Sequence, residues 1–176
     1  DINLTFEMEF FEKTKTFNQG FSTVAYLSAA LVDMKLHLAG SKPIDPAVFE
    51  KDTLKALGMP SEIAMRHRTA QFSHIFGSDN YSAGYYSYLW ADTLTADAYG
   101  AFTEGKGPYD KAVAERLRKN VFSVGDTIDP AEGYRGFRGR DVDTNALMQK
   151  RGFSKGKPAA AKKKKVAGLM AVRPKV

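Results

Sequence analysis

The chain has 176 residues, 43% of them hydrophobic, with no cysteine and a formal net charge of +6. That length supports one domain with its own core, and the missing cysteine excludes a disulfide framework, a thiolate nucleophile and sulfur-ligated zinc. Charge is uneven: ten of the 26 basic residues lie in 150–176, which holds no acid, so 1–149 carries 16 basic against 20 acidic residues and a net charge of −4.

In chain order, Phe21, Val24, Ala25, Leu27, Leu31, Met34 and Leu38 recur at spacings of three and four, which predicts a long helix over 17–38 with its apolar face along those residues. Gly40 closes it. Asp45-Pro46 opens a second helix that ends at Gly58, because Asp accepts from the free amides of a first turn and Pro fits its geometry. Ser61 is placed to cap a short helix to residue 66. After Gly77-Ser78-Asp79-Asn80 a third long helix is expected over 82–102. Residues 109–122 follow a helical pattern, and Asp129-Pro130 and Asp143 start two short helices, the last ending at Gly152.

No stretch alternates like a strand, and the best candidate, 120–124, is too short to matter. The expected fold class is therefore all-α. Residues 1–153 form the helical part. From Ser154 the composition turns to Lys, Ala, Gly and Pro, which reads as a disordered basic tail, 154–176. No apolar run approaches the ~20 residues of a membrane helix and no signal peptide precedes the first helix, so the chain is expected in the cytoplasm, away from membranes. It begins at Asp1 rather than Met, which fits a piece of a longer protein.

No HExxH, GxSxG or phosphate-binding glycine loop is present. His67 and His74 lack an acidic residue at ligand spacing, so no metal site is expected in this chain. The notable stretch is HIFGSDNYSAGYYSYLW, 74–90. On a helix of 100° per residue, Tyr81, Tyr85, Tyr88 and Asp92 fall within about 60° of one another, opposite Tyr86, Trp90 and Leu94. One face offers phenols and the other packs. Phenols stay neutral below about pH 10 and donate to an oxygen that gains charge during acyl transfer. Gly84 leaves room for a ligand backbone, and His74 adds a further donor. The plain alternative is that these tyrosines are amphipathic packing residues whose hydroxyls reach water, and stacking of sugars or bases is another. Spacing alone leaves all three open.

The stretch HIFGSDNYSAGYYSYLWADTLTADAY, with FNQGFSTVAYLSAALVDMKLH and DPAVFEKDTLKALGMPSEIAMRHRTAQFSH upstream, resembles the C-terminal region of the thimet-oligopeptidase-like zinc metallopeptidases, family M3. Within that family it is similar to the bacterial peptidyl-dipeptidases related to oligopeptidase A. The resemblance covers 15–153, leaving 1–14 outside. It departs from the family where Asn80 replaces a glycine, a position at which Asn still tolerates a left-handed turn, where Val24-Ala25 replaces Thr-Glu, and where Ala70 replaces a proline.

The resemblance implies one wall of a deep substrate channel in a mostly helical fold. It implies that Tyr88 stabilises the oxyanion, that His74, Tyr81, Tyr85 and Gly84 bind substrate, and that short peptides are cut to release C-terminal dipeptides. Zinc, with its HExxH ligands in an N-terminal catalytic part of the same protein, is implied outside this segment, which alone would be inactive. Other expectations remain: a truncated pseudoenzyme that still holds peptides, or a non-catalytic helical module whose Lys162 to Lys165 run contacts nucleic acid or acidic partners.

Overall fold

The computed structural model describes residues 14–154, and every regular element among them is helical. Helix α1, Gln19–Leu38, buries its small side chains: Ala25, Ala29, Ala30 and Val32 are enclosed. The face predicted from spacing points elsewhere, because Phe21, Val24, Leu31 and Leu38 remain exposed. Polar residues such as Ser22, Ser28, Asp33 and Lys35 are scattered around this helix among apolar ones, which gives periodicity little to select on. Close approach to its neighbours then favours the side with the smallest residues.

Helix α2, Pro46–Ala56, starts as expected, with the Asp45 carboxylate accepting from the amides of Ala47 and Val48 at 2.9 and 3.0 Å. The helix expected over 61–66 does not form; the segment runs in turns. Six residues cannot sustain a helix without tertiary support, and here Met65 instead reaches the core formed by Ala29, Val32, Phe72 and Ile75. A 3₁₀ turn, Thr69–Gln71, and the short α3, Ser73–Phe76, follow. The buried Glu50 of α2 ties down that turn, accepting from the Thr69 amide at 2.7 Å and its hydroxyl at 2.9 Å while pairing with Arg68 at 2.9 Å.

Helix α4, Ser87–Glu104, links this core to a second one. There Ala101 packs with Val113 of α5, Lys111–Leu117, and Phe137 of α6, Pro130–Arg138. Asp129 caps α6 as the sequence suggests, and Asp110 caps α5 in the same way. α5 runs into a π-helical turn, Arg118–Phe122, over the residues that came nearest to a strand pattern. α6 lies so close to that turn that a Cβ on Gly133 would meet the Asn120 carbonyl at 2.6 Å. Helix α7, Asn145–Lys150, returns along α4 and ends at Gly152, whose φ of 74° is left-handed. Among the described residues no helix is long and apolar enough to cross a membrane. Most of the Lys-rich tail expected to be disordered lies outside the described residues.

Candidate functional site

Helix α4 begins at Ser87, five residues later than its pattern suggests. The chain before it spends its amides on turns, Tyr81 to the Ser78 carbonyl at 3.0 Å, Gly84 to the Tyr81 carbonyl at 3.1 Å and Ser87 to the Gly84 carbonyl at 3.0 Å. The left-handed residue in this loop is Ala83, with φ 55°, and not Asn80. Two further amides, those of Ala83 and Tyr85, turn to the carboxylate of Asp33 on α1, at 3.1 and 3.0 Å. Gly84 lets the loop close on itself, since a Cβ there would press on the Tyr81 carbonyl at 3.2 Å.

This folding brings the sequence-selected residues together although Tyr81 lies in a loop and not on the helix. The Tyr88 hydroxyl is 3.0 Å from Nε2 of His74. The His74 ring stands 4.8 Å from that of Tyr81 and 5.7 Å from that of Tyr88. Tyr81 and Tyr88 are 48% and 50% exposed, so both side chains are open to solvent. Beneath them Tyr85 is half-buried, stacked on Tyr26 at 5.2 Å and set edge-on to Phe72 at 4.8 Å. Its ring also meets His74 at 5.6 Å and Tyr88 at 5.6 Å, forming a floor for the exposed group.

Asp92, the fourth residue of the predicted face, is separated from the phenols by its partners. Lys150 holds one carboxylate oxygen at 2.6 Å and Arg151 the other at 3.1 Å. Burial works to raise its pKa, but these two cations outweigh burial and hold it below the ordinary carboxylate range. Asp92 is thus a strut between α4 and α7.

The opposite face of α4 lines a mostly apolar groove of about 770 Å³, with Trp90, Leu94, Tyr99, Phe102, Phe122 and Ile128 among its walls. No three His, Cys, Asp or Glu side chains converge to hold a metal among the described residues. His67 stacks on Phe72 at 4.7 Å and meets the Tyr85 edge at 6.3 Å, a packing arrangement.

Sequence reasoning missed Tyr26, Asp33 and His37. The Tyr26 hydroxyl donates to the Tyr85 carbonyl and accepts from the Leu89 amide at 3.2 Å; burial, the larger influence, raises its pKa against that amide bond. The signal was available, since the three sit seven and four residues apart on one face of a helix and a carboxylate is seldom placed on a buried stripe without partners.

A model of peptidase family M3 matches residues 4–153, a span that starts before residue 15, where the resemblance begins. The dipeptidyl carboxypeptidase of Salmonella typhimurium is 33% identical over 147 residues, 81% of this chain and 21% of the relative. That of Escherichia coli is 36% identical over 141 residues, 78% of this chain and 20% of the relative. Oligopeptidase A of Salmonella typhimurium is 32% identical over 144 residues, 79% and 20% respectively. The chain spans about a fifth of the length of these curated relatives.

Proposed function

The chain belongs to peptidase family M3, and from that premise we propose that it forms the substrate-binding wall of a peptidase acting on short peptides and releasing C-terminal dipeptides. The observation that carries this reading is the exposed Tyr88 hydroxyl beside His74 Nε2, with Tyr81 facing the same space. When His74 donates its Nε2 proton to the Tyr88 oxygen, the phenol proton is free to point at a peptide carbonyl. That donor then strengthens as the carbonyl oxygen takes up charge in the tetrahedral state. Tyr81 adds a second neutral donor from the loop, and Tyr85 presents a ring edge at the floor. Gly84, by letting the loop close, keeps Tyr81 at the rim. Neutral donors suit this task because they stabilise a developing anion without first forming an ion pair with the substrate's own carboxylate.

Family M3 is generally zinc-dependent, and no group of described residues fits that metal. We assign its ligands to a part of the polypeptide outside this segment, so that this segment alone is inactive and its partner is the catalytic remainder of the same chain. The cytoplasm is the assigned compartment, in keeping with the cysteine-free sequence. The test is to incubate the intact gene product with a series of short peptides of free and amidated C-terminus and to read the products by mass. Dipeptides released from the free C-terminus support the proposal. Internal cleavage alone would make the parent an endopeptidase, and no cleavage would remove the peptidase reading from this polypeptide.

A further inference from the structure

Three polar side chains of α1 meet the loop that carries Tyr81, and they meet it at backbone atoms. Asp33 is 0% exposed. Its Oδ1 accepts from the Ala83 amide at 3.1 Å and lies 2.8 Å from Nδ1 of His37, while its Oδ2 accepts from the Tyr85 amide at 3.0 Å. Nδ1 of His37 is also 2.9 Å from the Asp33 carbonyl and 3.3 Å from the Ala83 amide. The His37 ring packs on Phe76, the residue just before the loop, at 5.9 Å. Tyr26 completes the set by donating to the Tyr85 carbonyl and accepting from Leu89. Both backbone groups of Tyr85 are therefore held by α1, and one turn of α1 brackets the loop at its start and its end.

A buried carboxylate is costly unless its oxygens are satisfied, and Asp33 directs them to loop amides some fifty residues away, in charge-assisted bonds. Those bonds hold Ala83 in a left-handed conformation that a side chain seldom adopts. To the loop's own turn bonds Asp33 thus adds a hold from a distant helix.

We propose that Asp33 is a positioning residue of the peptide site, supported by His37 and Tyr26: it fixes the loop so that Tyr81 and Tyr88 face one substrate together with His74. This rests on the peptidase reading of that face. Asp33 touches no substrate; it acts through the two tyrosines.

The experiment replaces Asp33→Asn in the intact polypeptide, which keeps the shape of the side chain but turns one acceptor into a donor. Hydrogen exchange read by mass should quicken at least about tenfold in the peptide covering 78–86 while α1 itself keeps its protection. Peptide turnover should fall about tenfold in kcat with little change in KM, and Asp33→Asn added to a Tyr81→Phe, Tyr88→Phe background should cost almost nothing more. Unchanged exchange over 78–86, or a loss that adds in full on that background, would overturn the proposal. Should Asp33→Asn fail to fold, His37→Ala reads the same clamp: exchange over 78–86 should rise about threefold, and an unchanged rate counts against it equally. If the unaltered polypeptide cleaves no peptide, the peptidase reading fails and the exchange result alone decides whether Asp33 clamps the loop.

Discussion

In its second half α4 encloses Asp97 among Tyr134 at 2.7 Å, Arg138 at 3.1 Å, Arg140 at 2.5 Å and the Asp143 amide at 3.2 Å. At its first turn the same helix holds Tyr88 half-exposed, its hydroxyl bonded to His74 among the described residues and with capacity for another partner. The Asp97 group is charged, buried and saturated, and Arg138 extends it to Glu104 through two bonds of 2.8 Å. The Tyr88 group is open and unsaturated. The contrast separates polar residues that fasten helices together from those that are free to meet a ligand, and it does so within one element.

The Asp97 end carries the largest expected effect on stability. Asp97→Ala removes the carboxylate that Arg138 and Arg140 share and leaves Arg138 only Glu104, and removing one partner of a buried network costs about 3–5 kcal/mol. Urea unfolding of the intact polypeptide measures this; a cost under about 1 kcal/mol would mean the network fastens nothing.

Acid should reveal the same asymmetry with a smaller effect. Burial works to raise the pKa of Asp97, but the bonds from Arg140, Tyr134, Arg138 and the Asp143 amide outweigh it and hold the group below its ordinary value of 3.8. A carboxyl whose folded pKa is depressed contributes stability that is fully present above the unfolded value and is lost as pH falls through the folded one. The thermal midpoint should therefore drop on going from neutral pH to below 3.8, and should drop less in Asp97→Ala. An equal drop in both would remove Asp97 from the acid response.

The smallest stability change belongs to the open end. Tyr81→Phe removes a hydroxyl that makes no hydrogen bond among the described residues from a half-exposed ring, and its unfolding free energy should stay within about 0.5 kcal/mol of the unaltered protein. A larger loss would show that the phenol fastens the loop instead of facing a ligand.

Much of the architecture was legible because it follows from local chemistry. Asp45-Pro46 and Asp129-Pro130 start helices where expected, with each carboxylate on the amides it should cap. The hydrogen bond between His74 and Tyr88 was not anticipated; the resemblance only grouped these two residues with Tyr81. What escaped was set by distant partners. The true start of α4 depends on Asp33 taking two loop amides from fifty residues away. The buried face of α1 depends on which side can approach its neighbours, a choice the scatter of polar and apolar residues around it does not record. The 61–66 segment gives up a helix so that Met65 can fill the core. Asp92, read with the phenols, was claimed by Lys150 and Arg151 of the segment that returns along α4.

The most direct test of the peptide-binding wall is turnover of a short peptide by the intact gene product carrying Tyr88→Phe, with its thermal midpoint measured beside it. Loss of one preorganised oxyanion donor predicts a fall of about 10²- to 10³-fold in kcat with the midpoint nearly unchanged. Turnover equal to that of the unaltered protein would contradict the account, because the exposed hydroxyl beside His74 would then have no part in the reaction.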